Sequence, residues 1–143
     1  MKAITIWQPW AEFVATRVKH NETRSWATKY RGQIAIHAAV KPIKQVVPLL
    51  SDEAFRLMIE KLEKASIAAG KLLTYFSYGE VIATAELVDC RLITEEYLST
   101  LSDTEKALGD YTLGRYAWEL KNIEALPEPV PAKGQQGLWN WEG

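Results

Sequence analysis

The most constraining feature of this sequence is the order in which strand-like and helix-like segments follow one another. Segments whose apolar and polar side chains alternate with a period of two predict strands, whereas apolar residues spaced three and four apart predict helices. The helical segments have unequal lengths and separate the strands without a regular strand–helix–strand rhythm. This order predicts an α+β fold over residues 1–143, a single domain built as a mixed sheet or small barrel with helices on its outside.

The strands are predicted at 2–6, Asn21–Trp26, Gln33–Ala38, within Gly79–Leu92, at Gly114–Ile123 and at Leu138–Trp141. Helices are predicted from Trp10 to about Lys19 or His20, over Ser51–Ala65, from Glu95, and after Ser102. Asn21 is expected to take the left-handed conformation that ends the first helix. The proline-rich segment Leu126–Pro131 is expected to be extended but outside the sheet, and residues 66–78 are ambiguous.

Composition excludes several classes of protein. Hydrophobic residues make up 48% and charged residues 24% of the chain, as in ordinary globular domains. No apolar run approaches the roughly 20 residues that cross a bilayer, and the first residues are typical of a strand, so a cytoplasmic protein without membrane contact is expected. The single cysteine, Cys90, rules out an internal disulfide, and neither His20 nor His37 has a second ligand at helical spacing. Neither a metal nor another cofactor is therefore expected, and glycine-rich phosphate or dinucleotide motifs are absent from the sequence.

Charge is unevenly distributed along the chain. Residues 1–50 carry eight lysines and arginines against two acids, whereas residues 51–143 carry nine against sixteen. Such asymmetry points to an anionic partner for the basic part. The alternative is an uneven surface with no functional meaning.

The segment Arg17–Trp26 offers the most unusual chemistry. Lys19 is predicted at the end of a helix, with Glu22, Arg24 and Trp26 on one face of the following strand. Arg24 can hold a phosphate or carboxylate with two donors, and Trp26 can stack a base. If Lys19 and Glu22 meet in a pocket, each shifts the protonation of the other, as in a general acid–base pair. The structural alternative is a capped helix end, an ordinary ion pair and a core tryptophan.

Four more residues are candidates for contact with a ligand. Gln8 can bind a base edge or hold the start of a helix, and His37 can be a cleft acid or base or a structural histidine. Arg115 can reach a cleft or pair with an acid such as Glu119. Lys133, on a glycine-bounded turn, can contact a phosphate backbone or simply be exposed.

Five blocks of the sequence together resemble the ASCH domain family. They are Ile6-Trp7-Gln8-Pro9-Trp10, Lys19-x-x-Glu22-x-Arg24, Tyr30-Arg31-Gly32-x-x-Ala35-Ile36-His37-Ala38, Gly114-Arg115-Tyr116-Ala117-Trp118 and Lys133-Gly134-Gln135-Gln136-Gly137-Leu138-Trp139. The resemblance covers nearly the whole chain. It implies a PUA-like fold, which is a small mixed β-barrel with flanking helices, and a cleft lined by the Lys19-x-x-Glu22-x-Arg24 segment. Within the first block, Trp7 and Trp10 are interpreted as core residues.

The resemblance also implies RNA, a nucleotide or a nucleoside as the ligand, since family members include RNA-binding domains, ribonucleases and an acetylcytidine hydrolase. Two residues depart from the family pattern. Arg17 stands where the motif usually has glycine, and Glu22 stands where the hydrolase has its threonine nucleophile. Thr23 is adjacent but is expected to face the other way, and Glu80 and Glu86 are the candidates for the hydrolase's downstream glutamate.

Three functions follow from these residues. The first is an RNA- or nucleotide-binding domain whose cleft holds a single-stranded segment or one base. The second is a hydrolase of a nucleoside, modified base or RNA, in which Lys19 and Glu22 transfer protons or activate water and Arg24 stabilises negative charge. The third is a module that binds an acidic peptide. The sequence leaves the choice among them, and the oligomeric state, open.

Overall fold

A single mixed sheet of six strands organises the chain. A computed structural model describes residues 1–64 and 75–143. The strands are β1 (Lys2–Ile6), β2 (Asn21–Arg24), β3 (Gly32–Ala38), β4 (Glu80–Leu92), β5 (Tyr116–Pro131) and β6 (Trp139–Asn140). Their order across the sheet is β2-β5-β4-β3-β1-β6, and only β1 and β3 run parallel. The α+β class is therefore confirmed.

The sheet is open in the part of the chain that the structure describes. Strands β2 and β6 form its two edges, each paired with one neighbour. The closed β-barrel predicted above is thus not confirmed. The sequence predicts strands well but contains no local signal for which strands become edges, because that depends on pairing between distant segments.

Helices of 4 to 13 residues lie between the strands along the chain. They are α1 (Trp10–Ala15), α2 (Ile43–Val46), α3 (Asp52–Lys64), α4 (Glu95–Leu98) and α5 (Asp103–Ala107), with a 3-10 turn at Val47–Leu49. The Ser102 side chain accepts a hydrogen bond from the Glu105 amide, so the predicted helix start after Ser102 is confirmed. Helix α3 lies within the predicted Ser51–Ala65, whose last residue, like 66–74, lies outside the described residues. Among the described helices, none is both long and apolar enough to cross a membrane.

The first helix ends earlier than predicted. Helix α1 stops at Ala15, and Arg17 takes the left-handed conformation with φ 64°. The Arg17 amide donates to the Val14 carbonyl and the Val18 amide to the Phe13 carbonyl, which is the Schellman arrangement of helix ends. The prediction that Asn21 ends the helix is wrong, because Asn21 is already the first residue of β2.

The proline-rich segment belongs to the sheet, contrary to the prediction. Strand β5 continues to Pro131, and Val130 pairs with Val81 of β4. The three prolines 127, 129 and 131 alternate with other residues, so the missing amide donors all fall on one edge of the strand. Since β2 pairs only with Tyr116–Glu119, most of that edge has no strand to bond.

Two apolar clusters stabilise this arrangement. One joins α1 to the sheet through residues such as Val14, Ile36, Leu87 and Trp118, all buried. The other packs Phe13 of α1 against α2 and α3 through Ile43, Met58 and others. Helix α1 is therefore held on both sides, and this fixes the turn that leads from it into β2.

Candidate functional site

A cleft opens where β1 ends, β2 begins and the segment after α5 returns to the sheet. Its volume is about 370 Å³. The lining residues are Thr5, Ile6, Trp7, Trp10, Lys19, Glu22, Thr23, Arg24, Leu108, Gly109, Asp110 and Arg115. Lys19, Glu22, Arg24 and Arg115, which were selected from the sequence, therefore lie together although 91 positions separate Arg24 from Arg115.

Lys19 forms the floor of the cleft. Its residue exposure is 0%, and its Nζ donates to the Leu108 carbonyl over 2.7 Å. Burial lowers the pKa of Lys19, while the nearby carboxylates of Glu22 and Glu105 raise it. Glu22 Oε1 lies 3.9 Å from Nζ, beyond a hydrogen bond but close enough for a strong electrostatic interaction where water is excluded.

Glu22 and Arg24 form an ion pair in front of this lysine. Arg24 donates through one terminal nitrogen to Glu22 Oε2 over 2.8 Å and to the Thr5 carbonyl over 2.9 Å. The prediction that these two side chains share a face of the strand is confirmed by their common half-buried state. The Arg24 Nε is buried and has no hydrogen-bond partner among the described residues. Glu22 is thus flanked by Lys19 and Arg24.

The segment Glu105–Asp110 forms hydrogen bonds to the turn that carries Lys19 and to the start of β2. The buried Glu105 carboxylate accepts hydrogen bonds from the backbone amides of His20 and Asn21, at 2.9 and 3.3 Å. The Leu108 carbonyl receives Lys19, and the Asp110 amide donates to the Thr23 hydroxyl over 3.3 Å. No local pattern in the sequence indicates these hydrogen bonds, because their partners are more than 80 residues apart.

Arg115 closes the opposite wall. Its Nε donates to the Asp110 carbonyl over 3.1 Å and lies 3.5 Å from the Asp110 carboxylate. A terminal nitrogen reaches the Thr23 carbonyl at 3.4 Å. Arg115 therefore both lines the cleft and pairs with an acid, which is Asp110. Thr23 also lines the cleft, although the strand alternation predicted that it faces the other way.

Two tryptophans provide the apolar wall. Trp7 is 42% exposed, so its interpretation as a core residue is wrong. Trp10 begins α1 and packs on both apolar clusters, which confirms part of its core interpretation, but it also faces the cleft. The apolar context of Trp7 in the sequence gave no signal of this exposure.

The other candidates lie outside the cleft lining. Trp26 follows the end of β2 and packs edge-to-face on Trp118, with ring centroids 4.8 Å apart. The Gln8 amide is used within the fold, since it accepts from the Glu12 amide and donates to the Ser77 carbonyl. His37 is 1% exposed and lies between the Thr5 hydroxyl and the Ala132 carbonyl. Lys133 is exposed on the neighbouring turn.

Neither candidate for the downstream glutamate lines the cleft. Glu80 pairs with Ala38 and Pro131 within the sheet, and Glu86 accepts a hydrogen bond from the Asn122 amide. The acid on the far side of Lys19 is Glu105 instead. Within residues 1–64 and 75–143, no three His, Cys, Asp or Glu side chains are grouped so as to hold a metal ion.

Fold and cleft together define an α+β domain with a charged cleft at the edge of its sheet. The chain belongs to the ASCH domain family, whose model matches residues 4–130. This family is associated with RNA binding.

Two similar proteins illustrate this membership. Human activating signal cointegrator 1 is 26% identical over 140 residues, a region that covers 95% of this chain but only 21% of that protein. The crystal structure of a mutant ZmASCH protein from Zymomonas mobilis matches with a TM-score of 0.50 at 15% identity, covering 91% of this chain and 74% of that one. The second likeness concerns the fold alone.

Proposed function

We propose that this domain binds one nucleoside or nucleotide unit, free or within single-stranded RNA, in the cleft described above. The observation that carries the proposal is the convergence of Lys19, Glu22, Arg24 and Arg115 on one cleft with an aromatic wall. A nucleotide needs these three elements together: donors for its oxygens, an acceptor for its amino and hydroxyl groups, and an apolar surface for its base.

The size and charge of the cleft favour a compact ligand. A volume of about 370 Å³ lies within the range of small-molecule pockets. Its three cations face two carboxylates, Glu22 and Asp110, so the cleft carries a small excess of positive charge. With a pI near 6.1, the whole chain lacks the basic surface of proteins that follow long nucleic acids. These features support recognition of one unit.

Calorimetric titration with cytidine monophosphate tests the proposal. Wild type should bind it, and Arg115→Gln should weaken binding at least about tenfold, since a charge-assisted contact is worth about 1.5–3 kcal/mol. Arg31→Gln is the matched control, because Arg31 pairs with Asp89 at 3.6 Å outside the cleft lining. Equal loss in both variants, or no binding by wild type, would reject the proposal.

A short single-stranded RNA extends the test to flanking phosphates. Lys133 is exposed and lies outside the cleft lining, so we propose that it contacts only a longer strand. Lys133→Ala should then lower the salt dependence of RNA binding by about one counterion and leave mononucleotide binding unchanged. An unchanged salt dependence would remove Lys133 from the interface.

A hydrolase is the second candidate, because Lys19 Nζ and Glu22 Oε1 lie 3.9 Å apart at the cleft. Lys19 is almost completely covered, so Glu22, with 13% side-chain exposure, is the member of the pair that a substrate can reach. Glu22 would activate a water molecule, with Lys19 behind it as proton partner, and Arg24 would stabilise the developing negative charge. Glu22 replaces the threonine nucleophile, so the route uses water directly.

Mass spectrometry of acetylcytidine and of a short RNA after incubation separates the two candidates. Turnover by wild type that is lost in Lys19→Met and in Glu22→Gln would establish the hydrolase. Methionine is suitable because it fills the buried space of the lysine stem without its charge. Intact substrates, together with measurable nucleotide binding, would leave the binding function alone.

A further inference from the structure

Trp7 is unusual because the fold leaves its large indole exposed at a charged cleft. Its side chain lies at the turn between β1 and α1, and its carbonyl accepts the Ala11 amide at the start of that helix. The backbone position of the ring is therefore fixed by the helix. The residue is 42% exposed and borders the cleft, whose lining also includes Arg24 and Arg115.

One face of this indole is already occupied. The Lys41 ammonium lies 4.1 Å from the ring centroid, the geometry of a cation–π contact. Among the described residues no aromatic ring packs on Trp7, and the cleft that it lines lies beside its ring. Lys41 also restrains the ring, which lowers the entropy lost when something stacks on it.

Trp26 has an exposure similar to that of Trp7, but its side chain packs within the fold. It is 38% exposed, yet its ring packs edge-to-face on Trp118, and its carbonyl accepts the Trp118 indole N–H over 3.3 Å. The ring of Trp7 instead contacts the Lys41 ammonium, and Trp7 lines the cleft. The two residues thus form a natural comparison.

We propose that Trp7 is the specificity-determining residue of the cleft: the aromatic heterocycle of the ligand stacks on the indole face that Lys41 leaves open. This inference rests on the proposed nucleotide-binding function and deepens it. The cations and carboxylates of the cleft can attract any phosphorylated or polar small molecule, but they do not distinguish a base from a bare sugar phosphate. The indole makes that distinction, because only a planar ring gains stacking energy on it.

The test compares cytidine and adenosine monophosphates with ribose 5-phosphate, which keeps the sugar and phosphate but lacks the base. Stacking of one base corresponds to about a 5- to 160-fold change in affinity on alanine substitution. Calorimetry should show this loss for Trp7→Ala with both nucleotides and almost none with ribose 5-phosphate. Trp7→Phe should restore part of the affinity, and Trp26→Ala should bind as wild type does. Circular dichroism checks that each variant folds.

The outcomes separate this inference from the function on which it rests. If Trp7→Ala binds nucleotides as tightly as wild type while Arg115→Gln does not, the cleft binds nucleotides and the stacking role is refuted. Tighter binding of ribose 5-phosphate than of either nucleotide would also refute it. If wild type binds neither nucleotide, the proposed function fails and the specificity of Trp7 fails with it.

Discussion

Replacing Gly109 by alanine should distort the cleft at its floor. A Cβ at this position would lie 2.9 Å from Tyr111 Cε2, 3.2 Å from Lys19 Nζ and 3.4 Å from Thr23 Cγ2. Carbon atoms in contact prefer about 3.5–4.0 Å, so the tyrosine ring must retreat by about 0.6 Å. Lys19 cannot retreat freely, because its ammonium is held on the Leu108 carbonyl at 2.7 Å.

The cost follows from this geometry. Adding one methyl group to a packed site typically costs about 1–3 kcal/mol, and Gly109→Ala should lower the free energy of unfolding by that amount. The methyl group also narrows the cleft and moves Thr23 or Lys19. We therefore expect the affinity for cytidine monophosphate to fall at least about fivefold, which corresponds to about 1 kcal/mol.

Gly79 provides the matched control for this experiment. A Cβ there would lie 3.1 Å from Val40 Cγ1, and the backbone φ of 67° strains any residue other than glycine, so Gly79→Ala is also destabilising. Neither Gly79 nor Val40 lines the cleft. Urea unfolding should show destabilisation of both variants, whereas calorimetry below the unfolding temperature should show weaker binding only for Gly109→Ala. Unchanged binding by Gly109→Ala, or equal loss in Gly79→Ala, would refute the assignment of the cleft.

Three further predictions concern the surroundings of the cleft. Burial lowers the pKa of Lys19 in the folded chain below its ordinary 10.5. Between the folded and the unfolded pKa the unfolded chain binds more protons, so the free energy of unfolding rises with pH across that window. Lys19→Met should abolish this rise in urea unfolding between about pH 7 and about pH 10, and parallel pH profiles of the two proteins would contradict the prediction. Arg17→Gly should be more stable than Arg17→Ala by about 1 kcal/mol. Both variants lose the hydrogen bond to the Ile123 carbonyl, but only glycine adopts the left-handed backbone conformation without steric strain. Equal unfolding midpoints of the two variants would contradict this prediction. Glu105→Gln should lower the free energy of unfolding by about 1–3 kcal/mol. The glutamine side chain has one oxygen, so it cannot accept hydrogen bonds from both the His20 and the Asn21 backbone N–H. Glu96→Gln, at an exposed position, is the control, and equal stability of the two variants would contradict the prediction.

Local signals in the sequence predicted local structure. The period of two placed Glu22 and Arg24 on one face of a strand, and the spacing of Ser102 and Glu105 predicted a helix start. In both places the outcome depends on neighbours within four residues, so sequence spacing is sufficient.

Failures occurred where distant residues decide the conformation. The family pattern has glycine where this chain has Arg17, which indicates a left-handed residue there, although arginine itself does not. The chain turns at Arg17 because Val18 packs on the core cluster of Phe13 and Lys19 reaches the Leu108 carbonyl. The strand pattern that began at Asn21 ends at Arg24, because the partner residues in β5 end at Tyr116, and Trp26 therefore leaves the expected face.

The site was predicted in part for the same reason. Charged residues within the Lys19–Arg24 segment attract attention because they occur on a strand, where such a row is uncommon. Trp7 and Gly109 have no such signal, since an exposed tryptophan and a buried one look alike in a sequence. Trp7 and Gly109 both border the cleft. This is evident only in the folded chain, where the Glu105–Asp110 segment packs against β2.

The most direct test of the cleft as the ligand site is an NMR titration of the six tryptophan indole N–H signals with cytidine monophosphate. The signals of Trp7 and Trp10, which border the cleft, should shift on binding. Those of Trp26, Trp118 and Trp141 should stay unchanged, whereas the Trp139 N–H donates to the Thr5 hydroxyl at the cleft and does not serve as a control. Shifts confined to Trp26, Trp118 and Trp141, or no shift of any signal at saturating nucleotide, would contradict the account.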